Sequence, residues 1–91
     1  MNSVVVELIV NNHPGVMSHV AGLFARRAFN LEGIVCRKIG DGAKSQMLLL
    51  VDNNDRLDQI VKQLQKLYDV LEVSLRSEDS VEAVFRLLPE D

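Results

Sequence analysis

The sequence predicts an α+β fold of the ferredoxin-like kind, with elements in the order βαββαβ. Three observations predict it. Two stretches carry apolar residues at helical spacing. Each follows a run with the look of a strand. A glycine-rich turn, Gly40–Asp41–Gly42, separates the two halves. The chain thus repeats one strand–helix–strand unit, and two helices laid on one face of four antiparallel strands form a two-layer sandwich.

Residues 4–10, five of the seven β-branched, form the first strand. Val4, Val6, Leu8 and Val10 share one face, and Val5, Glu7 and Ile9 share the other. Both faces are mostly apolar, so this strand belongs in the middle of the sheet. Residues 16–28 form the first helix, with Val16, Val20, Leu23, Phe24 and Ala28 inward and Met17 and Ala21 beside them. Ser18, His19, Gly22 and Arg26 point the other way. A glycine inside a helix costs about 1 kcal/mol relative to alanine, and a close neighbouring helix would account for Gly22. Arg26 and Arg27 complement the negative end of the helix.

Residues 30–39 form the second strand, and 40–44 a hairpin turn. The third strand is 46–51, a nearly unbroken apolar run. Asn53, Asn54 and Asp55 start the second helix, where Leu57, Ile60, Val61, Leu64, Leu67 and Tyr68 keep 3–4 spacing. The fourth strand is 70–75, with Leu71, Val73 and Leu75 on one face. In this topology the second strand lies at an edge, and pairing with a second copy through that strand and the first helix closes it. In the tail, 77–91, Asp79 and Glu82 match a capping box, and Val81, Val84, Phe85 and Leu88 keep helical spacing up to Pro89.

The totals bound the function. Ninety-one residues, 47% hydrophobic and 25% charged, make one small domain. A net charge of −3 argues against binding nucleic acid by phosphate neutralisation. No apolar run is long enough for a membrane span and no signal pattern opens the chain, so the expected compartment is the cytoplasm. The lone Cys36 fits a reducing compartment and reads as a small apolar strand residue. His13, His19 and Cys36 match no zinc spacing, and residues 52–55 read as a helix cap rather than a calcium loop. No nucleophile, acid and base stand together as an enzyme requires. Aromatics are too few for an RNA-binding sheet, and no arginine occupies the turn before the first helix, where a small phosphatase of the acylphosphatase type carries one.

The turn from the first strand into the first helix carries the chemistry: Asn11, Asn12, His13, Pro14, Gly15, Val16 and Met17. Pro14 suits the first helical turn, Gly15 lets another group approach the backbone, and the helix amides attract a carboxylate. The asparagines supply donors and acceptors. Together these suit both ends of a free amino acid; a helix cap and tight turn is the plainer reading.

The same residues carry a resemblance. The segment 12–17, followed by Gly22–Leu23–Phe24–Ala25–Arg26–Arg27–Ala28–Phe29–Asn30–Leu31–Glu32–Gly33–Ile34, resembles the ACT domain of acetolactate synthase (acetohydroxyacid synthase) regulatory small subunits. Gln63–Leu64–Gln65–Lys66–Leu67–Tyr68–Asp69–Val70 is similar to that family's Q-L-x-K-L-x-D-V segment. The resemblance covers residues 4 to about 76 and is strongest to the short, single-domain isozyme I type. It implies an ACT domain over residues 1–76, with 77–91 as a tail for packing or partner docking.

The resemblance also implies a non-catalytic subunit with no cofactor of its own. Such a subunit activates a large catalytic subunit, which carries thiamine diphosphate, Mg and FAD, and transmits feedback inhibition by L-valine in branched-chain amino-acid synthesis. It implies an effector site between two copies. Asn12, Gly15, Val16 and Met17 come from one, with Asn11, His13 and Pro14 in the same turn; Asn30, Leu31 and Ile34 come from the other. A stand-alone amino-acid sensor and an activator insensitive to valine remain as alternatives.

Overall fold

A computed structural model describes residues 3–12 and 14–76. The tail 77–91, with its expected helix, and His13 lie outside the described residues. The elements are β1 (Ser3–Asn11), α1 (Val16–Arg26), β2 (Leu31–Ile39), β3 (Lys44–Asp52), α2 (Leu57–Gln65) and β4 (Val70–Arg76). The sheet is antiparallel, in the order β2-β3-β1-β4. β1 is central and β2 lies at an edge, as the two-sided apolar pattern of β1 requires.

Alternation along the strands sends Val6, Leu8, Val10, Met47, Leu49 and Val51 to one face. There they meet Val16, Val20, Leu23 and Phe24 of α1 and Leu57, Ile60 and Leu64 of α2 in a single core. Val5, Glu7 and Ile9 point to the opposite face. Glu7 is buried there and anchors a polar row across all four strands. The Arg37 Nε donates to Gln46 Oε1 at 2.9 Å, and the Gln46 side-chain amide donates to the Glu7 carboxylate. Arg76 donates to Glu7 Oε1 through Nε at 3.0 Å and Nη2 at 2.8 Å.

Several local expectations are corrected. The first helix stops at Arg26, before Ala28, which takes a left-handed φ of 51° and is exposed. The chain closes a Schellman cap there. The Ala28 N–H donates to the Ala25 carbonyl at 3.1 Å and the Phe29 N–H to the Phe24 carbonyl at 2.9 Å. Phe24 and Phe29 stack edge to face, 5.8 Å between centroids. Arg56 ties the start of α2 to this corner: its guanidinium donates to the Arg27 carbonyl and lies 5.5 Å from the Phe29 ring centroid.

The second helix ends at Gln65, so Tyr68 falls beyond it in the turn and is 91% exposed. Leu71 is the extra residue of a bulge where β4 passes Ile9 and Val10, which takes it out of alternation. Among the described residues, a Cβ at Gly22 would meet the Arg26 guanidinium alone, at 3.3 Å, and no neighbouring helix.

Candidate functional site

β1 ends at Asn11, and the next few residues form the turn into α1. Pro14 stands before the helix rather than in its first turn, because Gly15 takes the N-cap position. Gly15 has φ 92° and ψ −12°, a left-handed geometry that side chains disfavour, and apart from its chain neighbours no described residue lies within 4 Å of where its Cβ would be. Its carbonyl accepts the first helical hydrogen bond, from the His19 N–H at 2.9 Å. No side chain among the described residues caps α1. The first-turn amides therefore face the space above Gly15, with the positive end of the helix dipole behind them.

The two asparagines are anchored differently. Asn12 clamps the hairpin between β2 and β3: its N–H donates to the Ala43 carbonyl at 3.0 Å and its Nδ2 to the Gly42 carbonyl at 2.7 Å. Asn11 is tied to the turn before β4. Its N–H donates to the Asp69 carbonyl at 2.9 Å and its Nδ2 to Asp69 Oδ1 at 3.3 Å. Both clamps hold the turn rigidly between its neighbours.

A cleft of about 180 Å³ opens here, lined by Val10, Asn11, Asn12, Gly15, Val16 and Met17 and, from the sheet, by Cys36, Ser45 and Met47. Complete small-molecule sites enclose roughly 300–1,000 Å³, so this cleft is smaller than a complete one. The described lining has no charged side chain. It offers backbone amides, asparagine amides, one buried hydroxyl and apolar walls. Such a set suits a small molecule of balanced charge, and the described lining holds no acid–base pair. Among the described residues no three His, Cys, Asp or Glu side chains gather as a metal site would require, and no helix is long and apolar enough to cross a membrane.

The chain does not bring Asn30, Leu31 and Ile34 to this cleft. Leu31 pairs with Val51, which also pairs with Val4, at the far end of the sheet from the turn; Ile39 and Asn11 both pair with Lys44 at the near end. The eight steps from Leu31 to Ile39 span about 26 Å. Cys36, Ser45 and Met47 were not legible as lining. The hairpin turn does fix the β2–β3 register, and alternation then places Cys36 opposite Met47 on the helix side.

Comparison with known proteins agrees with this architecture. Residues 6–72 match the family model described as the AHAS small subunit-like ACT domain. The chain is 54% identical over 78 residues to the acetolactate synthase isozyme 1 small subunit of Escherichia coli K12, covering 86% of this chain and 81% of that one. It is 40% identical to a probable acetolactate synthase small subunit of Archaeoglobus fulgidus, covering 85% of this chain and 49% of that one. Among solved structures, the acetolactate synthase small subunit of Thermotoga maritima superimposes with a TM-score of 0.74 at 37% identity, over 82% of this chain and 47% of that one. The chain belongs to the family of acetolactate synthase small subunits, as their regulatory ACT domain.

Proposed function

We propose that the chain activates the catalytic large subunit of an acetolactate synthase and holds L-valine at an interface between two copies, so that valine restrains the enzyme. The observation that supports this best is the start of α1, capped by no described side chain and opening on a partial cleft whose described lining is uncharged, beside the edge of β2 that no described strand pairs. In an antiparallel pair the beginning of one strand meets the end of the other. Two β2 strands paired across a two-fold axis bring the partner's Asn30, the partner's Leu31 and the partner's Ile34 toward the turn at Asn12–Met17. That completes the cleft from outside.

In this arrangement the amides after Gly15 hold the carboxylate. The Asn12 amide oxygen and the partner's Asn30 hold the ammonium, and Val16, Met17 and the partner's Ile34 surround the isopropyl group. Leucine and isoleucine bind less well, though one methylene discriminates by only about 1–3 kcal/mol. Valine changes the pairing of the two copies by its differential affinity for their arrangements, and the altered dimer changes its grip on the large subunit. Thiamine diphosphate, Mg and FAD belong to that subunit and not to this chain.

Titrating the purified chain with L-valine in a thermal-shift assay tests the effector site, with D-valine and L-lysine as controls. Ligand at about a hundred times its dissociation constant adds about 2.7 kcal/mol of stability. A rise confined to L-valine is expected. If the reconstituted enzyme is inhibited by valine while the chain alone shows no shift, the site is completed by the large subunit instead of a second copy. No response in either preparation leaves an activator without feedback.

A further inference from the structure

One polar group in the cleft is left unused by the chain itself. Ser45 lies on the helix side of β3, in alternation with Met47, Leu49 and Val51, and is only 3% exposed. Its directly opposed neighbours are Val10 on β1 and Lys38 on β2. A valine side chain offers no hydrogen bond, and a lysine ammonium only donates. No described residue is hydrogen-bonded to the Ser45 hydroxyl. Among the described residues no buried side-chain oxygen or nitrogen is sealed off without a partner. The Ser45 oxygen therefore keeps an opening, and it opens on the cleft at the start of α1, which Ser45 lines with Asn12, Gly15 and Val16. A buried hydroxyl without a partner weakens the fold. A molecule bound in the cleft supplies that partner.

The two charged ends of an amino acid are unequally served here. The carboxylate meets the first-turn amides of α1, which no described side chain caps, so donors are plentiful. The ammonium carries three N–H donors and needs acceptors. The effector reading gives it two, the Asn12 amide oxygen and the partner's Asn30. Asn12 has only that oxygen to offer, because its Nδ2 is bound to the Gly42 carbonyl. Asn11 commits its side chain to Asp69. An acceptor is what the site lacks, and a serine oxygen accepts. We propose that Ser45 is the third acceptor for the effector's ammonium, reached from the sheet side of the cleft. The assignment rests on the effector reading and adds to it a residue of β3. It also sets the class of ligand. An amino acid satisfies Ser45, whereas the 2-oxo acid of the same skeleton has no N–H and leaves the hydroxyl unpaired, a loss that discriminates strongly in a site built to hydrogen-bond.

Ser45→Ala tests this, in the full chain by titration calorimetry and in the reconstituted enzyme by inhibition. Without ligand the variant should unfold at the native denaturant midpoint or above it, since it loses only an unpartnered hydroxyl. Its dissociation constant for L-valine should rise about tenfold or more, as for a lost hydrogen bond to a charged group. A lower ligand-free midpoint with unchanged affinity would make Ser45 a packing residue and overturn the proposal. In the native complex the Ser45 β-protons should show nuclear Overhauser contacts to the valine α-proton, beside the nitrogen. Contacts to the valine methyls alone would overturn the assignment. The 2-oxo acid, 3-methyl-2-oxobutanoate, should not bind the native chain, and binding equal to that of L-valine would mean that the nitrogen is not read. A native response to L-valine that Ser45→Ala keeps in full removes Ser45 and leaves the effector reading standing. No response from the native chain or the native enzyme overturns that reading, and the role of Ser45 with it.

Discussion

At the level of single residues, Glu7 shows how a charge survives on an apolar sheet. Burial pushes its carboxyl pKa up. The hydrogen bonds from Arg76 and Gln46, the Arg76 charge and the Ser74 hydroxyl outweigh that and hold it below the ordinary 4.5. Since the folded-state value is the lower one, the carboxylate's contribution is fully present above about pH 4.5. It is lost as the pH falls through the folded-state pKa. Denaturation midpoints between about pH 5 and about pH 3 should therefore fall more steeply in the native chain than in Glu7→Gln. Gly15 makes a second case. Alanine there meets no described residue beyond its chain neighbours, so Gly15→Ala should cost about 1 kcal/mol from backbone strain. Calorimetry reads that cost, and the new methyl, projecting above the helix amides, should shrink the valine-specific shift. Both residues were visible in the sequence, but only Gly15 announced its role, through its place between a strand and a helix. Nothing in the alternation of β1 says that Glu7 faces Arg76, because that pairing depends on the register of β4.

Among the elements, the strands matched their sequence signals to within a residue or two, because alternation and turn glycines are local. Helix ends were less legible. α1 ends in a Schellman cap with alanine, not glycine, in the left-handed position, so the usual signal is missing. The cap closes through the Phe24–Phe29 contact and the Arg56 side chain, which reaches it from the start of another helix. Ala28→Gly should relieve the left-handed alanine and stabilise the chain by about 0.5–1 kcal/mol, read as a higher denaturant midpoint at unchanged slope. A lower midpoint would mean that the alanine methyl makes contacts outweighing its strain. Tyr68 misled for a similar reason. It keeps helical spacing after the helix has turned away, and periodicity alone does not mark that turn.

For the whole molecule, the proposed assembly rests on the edge of β2, which no described strand pairs. Val35 stands at its middle, where two β2 strands would meet in the proposed pairing about a two-fold axis. Val35→Lys places like charges opposite one another across that seam. The variant should keep its secondary structure by circular dichroism. It should sediment near the 10.2 kDa of one chain rather than twice that, and it should lose the valine-specific stabilisation. A dimer that survives the substitution would mean that pairing runs through another surface, and the completed cleft would need a different second half.

The order of elements, the central place of β1, the edge position of β2 and the strand-to-helix turn before α1 were determined by the sequence itself. Each rests on local periodicity, turn residues and the rule that a strand apolar on both faces belongs inside a sheet. Tertiary structure alone decided what the turn is held by and what it faces. Asn11 is drawn to Asp69 and Asn12 to the hairpin, residues 58 and 30 positions away. Cys36, Ser45 and Met47 enter the cleft only once the strand register is set. The physical reason is separation along the chain: local patterns choose an element and its buried face, whereas a site is assembled from elements whose relative placement only packing fixes.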